Sequence, residues 1–167
     1  MSREEKILRG MELIRRNQVL TQMLDEAAAE YLGINTTDGR AIDVIDQAGG
    51  RITAGDLARE LRLSTGAVTT IVDRLEKAGY ARRVADADDR RRVLIEVTPK
   101  VHRLSEDIYG SPGDVFEMTA AYTDKELDVF VRFQEQSRDW LEQHLAHAEQ
   151  LIARKPGKRR LRGRGRA

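Results

Sequence analysis

Cysteine is absent from the 167-residue sequence, and its absence removes several classes of chemistry at once. Disulfides, thiolate nucleophiles, cysteine-ligated zinc and thiol-based redox sensing are all excluded. Long apolar runs are missing too, since none approaches the roughly 18 residues that a membrane span needs. The N-terminus lacks the apolar core of a signal peptide. We therefore expect a soluble protein of the cytoplasm.

Motifs of catalysis are equally scarce. The sequence contains neither a glycine-rich phosphate loop nor a nucleophile elbow. His144 and His147 are spaced like metal ligands on one helix face, but they share that face with Trp140 and Leu151, and no second ligand pair accompanies them. The sequence predicts a protein that is not an enzyme and has no cofactor. It favours a packing or interface role for the two histidines and leaves metal binding open.

Long amphipathic helices are predicted at both ends of the chain. The first occupies residues 1–35, and the last begins at Thr123, where Glu126 completes a capping box, and runs to about Ala153. The last helix carries two apolar rows side by side, a width that a small core does not need. We interpret this stripe as a dimer interface, with packing inside one chain as the alternative. The apolar positions include Leu13, Leu20, Leu24, Tyr31, Leu127, Phe130, Phe133, Trp140, Leu141, Leu145 and Leu151.

The centre of the chain has the layout of a helix-turn-helix. A helix capped by Thr37 or Asp38 ends near residue 48; a second opens at a Thr53/Asp56 capping box and ends near residue 61. After a connection of about three residues, Ser64 caps a helix that ends before Gly79. The predicted buried side consists of Leu57, Ala58, Leu61, Ala67, Val68, Ile71, Val72 and Leu75.

A β-hairpin with a polar, basic tip follows. The extended runs 80–84 and 92–97 flank the sequence ADADDRR. Thr98 and Pro99 then announce a helix to about residue 109, and a short helical piece is predicted near 114–120.

Three stretches give the sequence a specific resemblance. Residues 63–80 read LSTGAVTTIVDRLEKAGY, residues 88–91 read DDRR, and residues 93–99 read VLIEVTP. In this order and spacing they resemble the recognition helix, wing tip and second wing strand of the MarR (multiple-antibiotic-resistance regulator) family of winged-helix repressors. The chain departs from the family pattern at Thr70, where many members have a basic residue, and at Val101, where a glycine is common.

The resemblance implies a mostly α-helical fold with a small β-wing. A winged helix-turn-helix lobe (36–98) would be flanked by an N-terminal dimerisation helix (1–35) and by connecting and C-terminal dimerisation helices (99–153). The implied function is that of a homodimer that binds a pseudo-palindromic double-stranded DNA operator, most simply as a repressor. A small effector, often aromatic or phenolic in the family, would release it. Effector identity, operator sequence and the choice between repression and activation stay open.

The recognition helix offers side chains suited to a DNA groove. Thr65 and Gly66 are small enough to permit close approach, and Ser64 can cap the helix while it donates to a phosphate. Thr69 and Thr70 can contact base edges or a thymine methyl. Arg74 can reach a phosphate, with a salt bridge as the equal alternative.

The wing tip offers arginines for the minor groove. Arg90 or Arg91 can enter a narrow groove, where the potential is most negative. Asp89 would repel DNA unless it orients a neighbouring arginine, so we predict that it holds one of the two. A solvated hairpin tip with no such role is the alternative.

Charge is segregated behind a net value of only +1. Residues 59–103 carry eleven basic and seven acidic side chains, and residues 154–167 carry eight basic and no acidic ones. Residues 104–153 have three basic against eleven acidic side chains, so the body of the protein would meet DNA through its basic centre, which holds the recognition helix and the wing. The tail is predicted to be disordered, and it either adds non-specific phosphate contacts or only solubilises the chain.

Two other functions remain compatible with the sequence. One is a non-specific architectural DNA-binding protein that acts through the basic tail. The other is a small-molecule or metal sensor whose output does not involve DNA. Loss of all binding on deletion of residues 154–167 would favour the first. Effector binding without DNA affinity would favour the second.

Overall fold

A computed structural model describes residues 1–89 and 91–154. Its order of elements agrees with the predicted fold class, mostly helical with a small antiparallel sheet. The elements are α1 (Arg3–Leu32), α2 (Thr36–Gln47), β1 (Arg51–Thr53), α3 (Ala54–Leu61), α4 (Thr65–Ala78), β2 (Ala81–Ala85), β3 (Val93–Val97), α5 (Pro99–Tyr109), α6 (Pro112–Thr119) and α7 (Asp124–Arg154). Most of the basic tail lies outside the described residues. The chain divides into two units, Met1–Ser111 and Pro112–Ala167.

One apolar core holds the first unit together. It is formed by α2, α3, α4, the sheet and the start of α5, and its largest fully buried side chains include Ile45, Leu57, Leu75 and Ile95. Seven of the eight core residues predicted for α3 and α4 are buried, whereas Ala67 is partly exposed. Burial of such side chains is the main stabilising contribution to the fold.

The sheet has three strands in the order β1-β3-β2, all antiparallel. β2 and β3 form the predicted hairpin, and β1 adds Arg51 opposite Glu96. Glu96 accepts hydrogen bonds from Arg51 at 2.9 Å and from Arg82 at 2.9 Å, so one carboxylate joins all three strands. The pKa of Glu96 lies below its ordinary value because of these bonds, first that of Arg82.

Strand β1 was not predicted. It has only three residues, and it follows Gly49 and Gly50, whose positive φ angles of 80° and 82° mark a turn. Three residues are too few for an alternating pattern, so the strand depends on its pairing with β3.

Two predicted caps differ from the observed ones. Helix α2 is capped by Asn35, whose side chain accepts from the Asp38 amide at 2.9 Å, rather than by Thr37 or Asp38. Thr98 precedes α5 as expected but makes no cap bond; its hydroxyl donates to the Gly79 carbonyl at 2.7 Å. That bond links the end of the recognition helix to the strand that returns from the wing.

The long helices bury very little of their surface. Of the 30 residues of α1, only Ala28 and Ala29 are buried, and α7 buries none of its 31. Large apolar side chains are exposed along both, including Ile7, Leu8, Met11, Leu20, Leu24, Phe130, Phe133, Trp140, Leu141, Leu145 and Leu151. Within the described ranges, no helix is both long and apolar enough to cross a membrane.

Candidate nucleic-acid interface

Helix α4 presents its polar face to solvent. The Ser64 hydroxyl oxygen accepts from the Ala67 amide at 3.2 Å and caps the helix, and Gly79 ends it in the left-handed conformation at φ 75°. Ser64, Thr65 and Gly66 are all exposed at the N-terminus of the helix. This end therefore offers small side chains and unpaired amide groups of the first turn to an approaching ligand.

Thr69 and Thr70 are exposed one turn further along. Each hydroxyl donates to a backbone carbonyl four residues earlier, Thr69 to Thr65 at 3.0 Å and Thr70 to Gly66 at 3.2 Å. Their protons are therefore engaged within the helix. The oxygens can still accept a hydrogen bond, and the methyl groups remain available for apolar contact.

Arg74 binds a carboxylate of the protein. Its Nε donates to Asp38 Oδ2 at 2.8 Å and its Nη2 to Asp38 Oδ1 at 2.5 Å, which is a two-point bridge between α4 and α2. The hydrogen bond to Asp38 raises the pKa of Arg74 above its ordinary value. Of the two roles considered for Arg74, the structure therefore has the salt bridge, and contact with a phosphate stays a prediction.

The wing tip pairs Asp89 with Arg91. Oδ1 of Asp89 accepts from the Arg91 amide at 3.0 Å and from Arg91 Nε at 3.2 Å. These bonds lower the pKa of Asp89, the side-chain bond contributing most. The Arg91 side chain is 92% exposed, so it extends into solvent from a fixed base. Arg90 lies outside the described residues.

Arg83 fixes the wing to the recognition helix. From β2 it binds Asp73 at 2.8 Å and also contacts Glu76, both on α4. Its backbone amide donates to Glu76 at 2.8 Å. Sequence reasoning missed this pair of contacts, because an arginine ten residues after an aspartate carries no sign that a turn will bring the two together.

A cavity of about 490 Å³ lies among α1, α2, α3 and α5. Its lining mixes apolar side chains with charged groups, and Asp25, Glu26 and Asp43 outnumber the single arginine, Arg40. Burial, then the carboxylates of Asp25 and Asp46, raises the pKa of Asp43. The residues that line this cavity were not predicted, because apolar wall residues follow the same sequence pattern as core residues.

Two tyrosine–aspartate bonds join α1 to α5 beside the cavity. Tyr109 donates to Asp25 at 2.9 Å, and Tyr31 donates to Asp107 at 3.1 Å. Burial and the bond to Asp25 raise the pKa of Tyr109, and the bond to Asp107 raises that of Tyr31. Both hydroxyls therefore stay protonated donors at neutral pH.

His144 of the histidine pair on α7 packs within the helix. The His144 ring stacks on Trp140 with centroids 3.8 Å apart, and its Nδ1–H donates to the Trp140 carbonyl at 2.8 Å. Over residues 1–89 and 91–154, no group of three or more histidine, aspartate or glutamate side chains is placed to hold a metal ion.

Comparison with known proteins supports the resemblance inferred from the sequence. A family model described as "MarR family" matches residues 32–92. The HTH-type transcriptional regulator YcgE of Bacillus subtilis is 35% identical over 150 residues, which cover 89% of this chain and 97% of that protein. The multiple antibiotic resistance protein MarR of Salmonella typhimurium is 33% identical over 57% of this chain and 67% of its own length.

A solved structure agrees with these sequence matches. FabT of Streptococcus pneumoniae, solved in complex with DNA, is similar to this chain with a TM-score of 0.56 and 25% identity, over 84% of this chain and 98% of FabT. The observed fold, a helix-turn-helix lobe with a wing, agrees with these matches, one of which covers nearly the full length of the relative. The chain belongs to the MarR family.

Proposed function

We propose that the protein is a dimeric, sequence-specific, double-stranded DNA-binding transcriptional regulator, and that it represses until a small effector releases it. The observation that carries the proposal is the exposed polar face of α4, held beside a wing whose tip projects an arginine. Family membership and the DNA complex of the similar FabT support the same function.

The N-terminal half of α4 is suited to enter the major groove. Ser64 uses its oxygen for the cap, so its hydroxyl proton is available to a phosphate. Thr65 and Gly66 keep the helix end slim, and the positive end of the helix dipole favours phosphate there. Thr69 and Thr70 read base edges by accepting from amino groups and by touching thymine methyls.

The wing is suited to the adjacent minor groove. Arg91 is exposed, and Asp89 restrains its base, which lowers the conformational entropy lost when DNA binds. Arg90, for which we propose the same groove, directly precedes Arg91 in the sequence. Arg91 would supply charge rather than base-specific hydrogen bonds, since the minor groove distinguishes base pairs poorly.

Dimerisation through the long helices would supply the second DNA-binding lobe. Helices α1 and α7 each expose many large apolar side chains along their length, and clusters of exposed apolar side chains are typical of protein interfaces. Two copies related by a twofold axis would place two α4 helices in successive major grooves about 34 Å apart. A pseudo-palindromic operator follows from that symmetry.

The cavity among α1, α2, α3 and α5 is the candidate effector site. Its volume of about 490 Å³ suits a small molecule, and it adjoins both the lobe and the long N-terminal helix. An effector that prefers a different arrangement of the two would shift the population away from the DNA-binding state.

The decisive experiment selects DNA from a random duplex library with the full-length protein. A pseudo-palindromic enriched sequence is expected. Thr69→Ala should then lower discrimination between this operator and mutated sites. Arg91→Ala should weaken binding to all duplexes and reduce the salt slope by about 1. Enrichment of no sequence at moderate salt would contradict the proposal. A loss of all binding on removal of residues 154–167 would then indicate an architectural protein instead.

A further inference from the structure

Among the described residues, Asp38 is the one charged residue that is buried, with 1% of its surface exposed. Both carboxylate oxygens are used: Oδ1 accepts from Arg74 Nη2, and Oδ2 accepts from Arg74 Nε and from Asn35 Nδ2 at 3.0 Å. A buried carboxylate that loses such partners is strongly destabilised. Arg74 is therefore committed to Asp38 and is not free to move to a phosphate without cost.

Arg74 lies one helical turn after Thr70, on the helix proposed to read bases. A planar guanidinium bonded at two points fixes both the distance and the angle between its partners. The bridge to Asp38 thus sets how α4 is oriented on α2. A hydrogen bond to a base edge tolerates little displacement, so this orientation matters for base discrimination.

The residues on either side of Asp38 line the cavity. Thr37, Gly39 and Arg40 all contribute to its wall, together with Ala29 of α1. At Gly39 a Cβ atom would lie 3.9 Å from the Cβ of Ala29, which is ordinary contact, so α1 and α2 approach closely there. The same helical turn of α2 therefore lines the cavity through the neighbours of Asp38 and binds Arg74 through Asp38 itself.

We propose that Asp38 is a positioning residue that couples the cavity to the recognition helix. It orients α4 through Arg74, and a molecule in the cavity acts on DNA affinity by displacing the first turn of α2. The inference rests on the proposed function, since it needs an operator to act on.

The first test removes the bridge without leaving a buried charge. The double variant Asp38→Asn/Arg74→Gln replaces both charged side chains with uncharged amides, which can still form a hydrogen bond with each other. We expect its preference for the selected operator over a scrambled duplex to fall about tenfold, in the usual range for coupled buried pairs. Affinity for the scrambled duplex should fall by less than affinity for the operator, because the phosphate contacts proposed for Ser64 and for the wing are retained.

Arg83→Gln is the matched control. It also removes an ion pair that holds α4, but its partners Asp73 and Glu76 have no link to the cavity. Losing one positive charge should weaken operator and scrambled duplex alike and leave their ratio unchanged. A double variant that keeps the operator preference, or a control that loses it equally, would overturn the role of Asp38.

The second test uses the absence of cysteine. Gly39→Cys introduces the single thiol of the chain on the cavity wall, and benzyl methanethiosulfonate attaches a benzyl group there through a reducible disulfide. We expect operator affinity to fall about tenfold and to return on reduction, while methyl methanethiosulfonate has a smaller effect. In the Asp38→Asn/Arg74→Gln background the benzyl group should change operator affinity by less than about twofold.

The outcomes separate the two proposals. If the wild-type protein enriches no operator, the proposed function is wrong and this inference falls with it. If an operator exists but the benzyl-labelled Gly39→Cys protein binds it like the unlabelled protein, only the coupling is wrong. An equal loss with and without the Asp38–Arg74 bridge would likewise show that the cavity acts by another route.

Discussion

The winged lobe buries its apolar side chains, whereas the long helices leave most of theirs exposed. The lobe closes its own core, with Ile45, Leu57, Val68 and Leu75 fully buried within a single chain. Helices α1 and α7 are longer than any helix of the lobe, yet almost nothing on them is buried. Helix propensity and capping can define a helix, but they do not supply a core. The lobe is therefore expected to be stable within one chain, whereas the long helices leave apolar side chains exposed that the proposed dimer would cover.

The sharpest test of this contrast places charge on α7. Leu141→Glu/Leu145→Glu puts two carboxylates on the apolar stripe, and a dimer buried there would dissociate with a dissociation constant raised at least about a thousandfold. Sedimentation velocity over a concentration series measures it. Gln136→Glu/Gln143→Glu adds the same charge outside the apolar rows and should leave the dimer intact. Equal sedimentation of the stripe variant and the native protein would show that this face of α7 is not part of a dimer interface.

The complementary test weakens the core of the lobe. Leu57→Ala should lower the free energy of unfolding by about 2–5 kcal/mol, because the side chain is fully buried and leaves a cavity. Urea titration followed by circular dichroism measures the loss. Val93→Ala is the control, since Val93 is exposed on β3, and it should cost about 0.5 kcal/mol. Similar losses in both variants would contradict the assignment of the core.

A third test addresses the junction between α1 and the lobe. The Tyr80 hydroxyl donates to the Leu32 carbonyl at 2.8 Å from a buried ring. Tyr80→Phe leaves that carbonyl without its partner and should cost about 1–3 kcal/mol of unfolding free energy. Tyr122→Phe, at an exposed site, should change it little, and both are measured by the same urea titration. A null result for Tyr80 would mean that this hydrogen bond does not hold α1 to the lobe.

The smallest expected effect depends on pH. The pKa of Asp43 is raised above 3.8 by burial and by Asp25 and Asp46, so the folded state holds this proton more tightly than the unfolded state. As pH rises through the range in which Asp43 ionises, the ionisation lowers the free energy of unfolding. This loss of stability is fully present at higher pH. Asp43→Asn should raise the melting temperature at about pH 7 and lose this gain near pH 3. Asp128→Asn on α7, which lies outside the cavity, is the control. A gain for Asp43→Asn that persists at low pH would contradict the explanation.

Local signals predicted most of the elements. The capping side chains of Thr53 and Ser64 were identified correctly, as were Gly79 as the left-handed terminator and the Thr123/Glu126 capping box. These signals act over three or four residues and are visible in any single sequence. Strand β1 and the Asn35 cap were missed, because one depends on pairing with β3 and the other competes with two equally good caps nearby.

The candidate site divides in the same way. Helical spacing put Thr65, Gly66, Thr69 and Thr70 on the outer face of the helix, and the structure has all four exposed on α4. Their role in DNA binding came from the family resemblance and stays a prediction. Arg74 could not be assigned, because its partner Asp38 lies 36 residues earlier and no local pattern relates them.

By itself, the sequence determined the helices, the hairpin, the face of α4 that stays polar and the exclusion of thiol chemistry, since each depends on residue type and short spacing. Only the tertiary structure decided which charges meet. The Asp38–Arg74 bridge, the Arg83 contacts with α4 and the cavity beside α2 arise from segments far apart in sequence. Ion pairs and cavities depend on distances in space, and those distances are set by the packed core rather than by the neighbours of any one residue.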